Sequence, residues 1–133
     1  LTDGRHLSIS HTKDLAAIAI SSQPLGIDLE YYQEKIIRIA PRFLHLKESL
    51  DLNMNKNIHY LSQIWTAKEA LYKVFHKKGI QFNTQLLIDP IQVKSKESIG
   101  SVFYKNRIKK YKLHFRYFDN FCLSLAITKK NNV

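Results

Sequence analysis

The sequence predicts an α+β fold: a mainly antiparallel sheet with one long helix packed on it. Three observations carry that prediction. Apolar runs near 7–10, 15–20 and 25–30 are short and bounded by turn residues, as strands are. One stretch from about 58 to 78 has helical periodicity and ends in basic residues before Gly79, which is placed to act as a C′ cap. Short apolar runs between 91 and 128, separated by turn residues, then return the chain to strand.

Asp3-Gly4 is a turn signal, and Leu7-Ser8-Ile9-Ser10 alternates apolar and polar like a half-buried strand. His11-Thr12-Lys13-Asp14 reads as a tight connection to a buried strand over 15–20, which pairs with the first as a hairpin and stops at Ser21-Ser22-Gln23-Pro24. A third strand covers 25–30. Between 34 and 50 the apolar residues are irregularly spaced around Pro41, so a helix is expected to break or restart there. Residues 53–57 are polar and loop-like. After the long helix, Asn83, Pro90 and Gly100 act as punctuation between strands expected at 91–93, 101–104, 111–117 and 121–128, with Asp119-Asn120 turning the last hairpin.

With 133 residues the chain suits one domain or subdomain, and 44% hydrophobic with 24% charged residues is the composition of a folded protein. Lys and Arg total 21 against 11 Asp and Glu, a net charge of +10 that favours polyanionic partners without choosing among them. Cys122 is the single cysteine, which excludes a disulfide framework or a cysteine metal site and fits a reducing, cytoplasmic setting. No run approaches the roughly 18–20 apolar residues of a membrane span. Leu1 leads straight into Asp3-Gly4-Arg5, so an upstream segment is expected to be absent.

Gly26-Ile27-Asp28-Leu29-Glu30 sets two carboxylates two residues apart, hence on one face of a strand and about 6.6 Å apart along it, with Ile27 and Leu29 toward the core. Side-by-side carboxylates repel unless a cation lies between them, and hard divalent ions take such oxygen ligands. An exposed strand edge carries the same pattern without any metal.

On a helical projection Leu61, Ile64, Trp65, Leu71, Tyr72 and Phe75 form one apolar stripe about 120° wide, and Lys68 falls inside it. Such a lysine must snorkel outward or meet a negative partner. Glu69 and Lys73 lie at the border in the favourable i,i+4 order. They read either as a surface salt bridge or as a third oxygen ligand beside a phosphate-binding cation.

Taken together, the Gly26–Glu30 segment followed by Trp65-Thr66-Ala67-Lys68-Glu69-Ala70-Leu71-Tyr72-Lys73 resembles the paired signature of 4′-phosphopantetheinyl transferases. Leu7-Ser8-Ile9-Ser10-His11-Thr12 resembles the S-H-S/T segment of the surfactin-type branch, and Arg42-Phe43 with Glu48 is similar to its R-F-(x)n-E stretch. The resemblance implies Asp28, Glu30 and Glu69 as Mg²⁺ ligands. It implies His11, Lys68 and Lys73 as contacts to coenzyme A, and Glu69, Lys73 and Glu48 as catalytic groups, Glu48 being a candidate base.

The resemblance also implies a two-half enzyme, of which residues 1–24 would be the hairpin ending the N-terminal half and residues 25–133 the C-terminal catalytic half. Self-association could then replace what is missing. The implied reaction moves phosphopantetheine from coenzyme A to a serine of an acyl or peptidyl carrier protein, releasing 3′,5′-ADP. Lys77, Lys78, Arg107, Lys109, Lys110 and Lys112 would suit docking of an acidic carrier or simply form a solvated face. Two other readings compete: a non-catalytic fragment or paralogue, and a nucleic-acid-binding module suggested by Tyr104, Tyr111, Tyr117 and Phe118 among basic residues. The latter matches no known binding motif.

Overall fold

The computed structural model describes residues 3–49 and 54–129. Its strands are β1 (His6–His11), β2 (Ala16–Ser21), β3 (Leu25–Tyr31), β4 (Leu86–Ile88), β5 (Glu97–Tyr104), β6 (Arg107–Tyr117) and β7 (Phe121–Thr128). Its helices are α1 (Lys35–Ile39), α2 (Ile58–Phe75) and the one-turn α3 (Phe82–Gln85). β3, β7, β6, β5 and β4 form, in that order, a fully antiparallel five-stranded sheet, and β1 with β2 forms a separate hairpin. The α+β expectation holds.

α2 lies across the five-stranded sheet because its apolar stripe and the sheet's inward residues are complementary in size. Leu61, Ile64 and Leu71 meet Val102, Leu113 and Phe115, all nearly or fully buried. Each such side chain contributes about 1.5–3 kcal/mol by leaving water. Two glycines allow the close approach. A Cβ on Gly26 would lie 2.2 Å from the Ala70 carbonyl oxygen, and one on Gly100 would lie 2.7 Å from Leu71 Cδ1. Gly100, expected as punctuation ahead of a strand at 101–104, therefore sits inside β5 as the hollow that receives Leu71.

Several boundaries differ from expectation. α2 begins with Asn57 as N-cap, its side chain accepting from Tyr60 N–H, and ends at Phe75, with His76 in the left-handed region at φ 65°. It stops ahead of the expected 78, and Gly79 serves the following turn at φ 81°. The region around Pro41 does restart: α1 passes into a 3₁₀ turn over Ala40–Arg42 with the proline in its first turn. No strand forms at 91–93; the fifth strand of the sheet is instead β4, whose short run Leu86-Leu87-Ile88 was not read as one. Met54–Lys56 form a 3₁₀ turn, and Asn53, part of the expected loop, lies outside the described residues.

β2 pairs with β1 as expected but is not buried. The hairpin's inner face carries Ser8, Ser10, Ala17 and Ala19, small enough to lie close to β3. Its outer face carries Leu7, Ile9, Ile18 and Ile20, which are 44%, 49%, 63% and 51% exposed. β1 runs beside β3 without backbone pairing. The outward amides of Ile27 and Leu29 donate instead to Ser8 Oγ (2.9 Å) and Ser10 Oγ (3.1 Å), so serine hydroxyls close the edge of the sheet.

Candidate functional site

β3 is buried on both faces, and its even-numbered positions point at α2. The contact of Gly26 with Ala70 and Lys73 fixes that parity, since Asp28 and Glu30 follow it at two-residue steps. The carboxylate pair therefore faces the helix, whereas Ile27 and Leu29 are buried on the opposite side of the sheet rather than in the core beneath α2. This correction brings the two acids toward Glu69 and Lys73.

Lys73 Nζ donates to three oxygens, Ile27 O (2.7 Å), Ile9 O (3.1 Å) and Asp28 Oδ1 (3.3 Å), and Asp28 Oδ1 also accepts from Ser10 Oγ at 3.3 Å, completing a network that joins α2, β3 and β1. Lys73 thus bonds across to β3 rather than to Glu69, its i−4 neighbour on the helix. Glu30 Oε2 accepts from the indole N–H of Trp65 at 3.2 Å.

Burial pushes the Asp28 carboxyl up to about 7; Lys73 opposes that shift, and the charges of Glu69 and Glu30 add to it. Glu69 is also raised, first by burial and then by Glu30, with Lys73 again opposing. The three acids therefore share one electrostatic neighbourhood. They do not form a closed cage: among the described residues no three His, Cys, Asp or Glu side chains are grouped to hold a metal ion. Lys73 and Ser10 engage Asp28, and Trp65 engages Glu30. The donor chemistry nonetheless fits a hard divalent cation, because all three groups are carboxylates and their mutual repulsion is only partly offset by one ammonium.

The other candidates lie elsewhere. Lys68 is fully buried and meets Glu48 Oε1 at 2.7 Å, with its remaining donors on Phe43 O (2.6 Å) and Phe82 O (2.9 Å). Glu48 also accepts from His45 N–H and Ile88 N–H, both at 2.8 Å. The pair joins α2 to the segment before it and to β4, and neither member opens toward the acids. The expected Lys68 contact to coenzyme A and the expected base role of Glu48 have no access in this geometry. His11 ends β1 in an exposed position, opposite Ala16. Burial pushes the Cys122 thiol up to about 12, so it is no nucleophile.

Sequence reasoning missed two contributors. Trp65 stands in the sequence in the apolar stripe and at the head of the signature segment with no polar role assigned, although its position at the border beside Glu69 and the need of an indole N–H for an acceptor both point to a polar contact. Ser10 stands in the sequence as a polar position of an alternating strand and as the first residue of the S-H-S/T segment, with no partner assigned, and its contact with Asp28 depends on the hairpin lying along β3.

Residues 24–126 match the 4′-phosphopantetheinyl transferase superfamily. Among curated proteins, the chain is 36% identical over 75 residues to the 4′-phosphopantetheinyl transferase gsp of Aneurinibacillus migulanus, covering 54% of this chain and 32% of that protein. It is 34% identical over 71 residues to the 4′-phosphopantetheinyl transferase Sfp of Bacillus subtilis (strain 168), covering 51% and 32%. It is 32% identical over 80 residues to the 4′-phosphopantetheinyl transferase psf-1 of Bacillus pumilus, covering 58% and 34%. The matched segments span about a third of the length of these relatives.

Proposed function

Because the chain belongs to the 4′-phosphopantetheinyl transferase superfamily, we propose that it is the catalytic half of a Mg²⁺-dependent enzyme that transfers phosphopantetheine from coenzyme A to a carrier-protein serine, releasing 3′,5′-ADP. The observation that carries this reading is the convergence of Asp28 and Glu30 from β3 with Glu69 and Lys73 from α2, with Asp28 and Glu69 both displaced toward the neutral form. Asp28, Glu30 and Glu69 would hold Mg²⁺, which stabilises negative charge on the transferring phosphate.

Lys73 supplies a cation beside those acids, where it would neutralise part of the donor's phosphate charge. Of the two carboxylates considered as base, Glu48 is occupied by Lys68 and two backbone amides. Glu69, made more basic by burial, is the better placed to accept the serine proton. His11 would contact a phosphate from the exposed end of β1. The exposed lysines and arginines would meet an acidic carrier surface. Residues 1–24 would close an N-terminal half, a division consistent with the apolar outer face of the β1–β2 hairpin. No helix among the described residues is long and apolar enough to cross a membrane, and a buried free cysteine is compatible with the cytoplasm. The nucleic-acid reading loses support at Tyr111, whose ring is buried and so is not free to stack on a base.

Trp65 is the single tryptophan, and its bond to Glu30 makes its emission a reporter of the site. Mg²⁺ titrated into metal-free protein is expected to give a saturable emission change that Asp28→Asn abolishes. Mass spectrometry of an apo carrier incubated with coenzyme A, Mg²⁺ and the chain tests transfer itself. A Mg²⁺ response without added phosphopantetheine mass would identify a non-catalytic fragment, and no response in either assay would sink the proposal.

A further inference from the structure

Trp65 is the residue through which α2 holds Glu30, its indole N–H donating to Glu30 Oε2 at 3.2 Å. That bond lasts only while the indole keeps one orientation. With Glu30, Ile36 and Ile39, Trp65 borders an open hollow of about 120 Å³, which leaves the ring room to turn. Two rings from other segments pack against it: Phe43 at 5.2 Å between centroids and Phe82 at 5.7 Å. Phe43 is fully buried at the end of the 3₁₀ turn after α1. Phe82 opens the one-turn α3, is half-buried, and has Tyr72 at 5.6 Å as a second ring neighbour.

The backbone of those same two phenylalanines converges on Lys68. Its ammonium donates to Phe43 O at 2.6 Å and to Phe82 O at 2.9 Å, and meets Glu48 Oε1 at 2.7 Å. Trp65 and Lys68 are three residues apart on α2 and so share a helix face. The residues that touch one with their rings touch the other with their carbonyls. Glu48 in turn accepts from His45 N–H, just after Phe43, and from Ile88 N–H, at the end of the strand that follows α3. An apolar pair of similar volume commonly fills such a space without loss of stability. It could not fix two carbonyls at set points, because dispersion contacts lack the direction of a hydrogen bond.

We infer that the buried Lys68–Glu48 pair is a positioning unit for the acid cluster: it anchors Phe43 and Phe82, their rings fix the Trp65 indole, and the indole orients the Glu30 carboxylate. The inference rests on the transferase reading and deepens it, giving two buried motif residues that lack access to the acids a part in arranging them. Loss of a group that hydrogen-bonds a metal-ligating side chain typically weakens metal binding roughly 10–100-fold. Trp65 is such a group for Glu30, and Lys68 with Glu48 acts one step behind it.

Because Trp65 is the single tryptophan, its indole proton gives one magnetic-resonance signal, and exchange of that proton with water reports the Glu30 bond in metal-free protein. Lys68→Met/Glu48→Gln removes both buried charges together. It is expected to speed indole exchange about tenfold and, read by indole emission, to weaken Mg²⁺ binding about tenfold. Leu113→Ala truncates a fully buried core residue on β6, outside the segments that the pair joins. It lowers stability and is expected to leave indole exchange and Mg²⁺ affinity within about twofold. Phe82→Leu trims the half-buried ring and replaces the double variant should that one not fold, with the same changes expected. Unchanged indole exchange would overturn the inference, as would faster exchange with unchanged Mg²⁺ affinity. An equal change in Leu113→Ala would reduce the effect to lost stability and overturn it too. Absence of any Mg²⁺ response in the unmutated chain would instead count against the transferase reading, and the metal-free exchange would still decide whether the pair positions Trp65.

Discussion

Asp28→Asn should make the protein more stable at neutral pH while disabling the proposed metal site. The side chain of Asp28 is 12% exposed, and burial raises its carboxyl from 3.8 to about 7. Below pH 3.8 both folded and unfolded chains hold the proton, and there is no penalty. Between 3.8 and about 7 the unfolded chain ionises while the folded one does not, so stability falls as pH rises; above 7 the loss is complete. The shift of about 3 units corresponds to about 4 kcal/mol, with about 1.5 kcal/mol of it present at pH 5. Asparagine avoids the charge at every pH, and Lys73 keeps the carbonyls of Ile9 and Ile27. Thermal unfolding in EDTA should show Asp28→Asn melting roughly 10 °C or more above the unmutated chain at pH 8, and by less than half that margin at pH 5. Mg²⁺ should raise the melting temperature of the unmutated chain at pH 8 and do little for the variant. A variant less stable at pH 8, or a margin that does not change with pH, would refute the assignment of a strained, desolvated carboxylate.

Other perturbations probe the frame around the site. Lys68→Met leaves Glu48 as an unpaired buried charge and should cost about 3–5 kcal/mol in urea unfolding; Lys68→Met/Glu48→Gln should recover part of this, since glutamine still accepts from Ile88 N–H. Gly26→Ala sets a methyl group against the Ala70 carbonyl and should cost about 3 kcal/mol or more by forcing α2 off β3, read by denaturation and by lost Trp65 emission response. Ser8→Ala and Ser10→Ala each remove the acceptor of one β3 amide, at about 1–3 kcal/mol. Hydrogen exchange should accelerate at Ile27 and Leu29 respectively.

The long helix, the last hairpin and the three-strand start were readable because periodicity and turn residues agree there. β7 falls on the expected residues, whereas the end of α2 was misplaced because His76 adopts a left-handed conformation that glycine was expected to supply. β4 is three residues long, too short for any alternation to register. The apolar character of β2 suggested burial, but side-chain hydropathy reports a face that can be covered, and this hairpin spends its small residues on the covered side. For the site, residue types and order pointed to Asp28, Glu30, Glu69 and Lys73, while facing direction came only from Gly26, whose missing side chain sets which side of β3 meets the helix.

The two lysines of the α2 motif show why a motif is not a site. Lys68 and Lys73 are five residues apart, which turns them about 140° from each other on the helix, so they cannot serve one cluster. Lys68 points inward, where desolvation would strand its charge, and is retained by Glu48 and two carbonyls brought from other segments. Lys73 points along the sheet edge, partly exposed, where its partners are the backbone oxygens of two strands and one carboxylate displaced toward neutrality. Only the second lysine is partly exposed, so that an incoming phosphate could reach it without breaking a fully buried ion pair. Chemistry at this motif therefore follows from access and desolvation, and it separates residues that the sequence presents as equals.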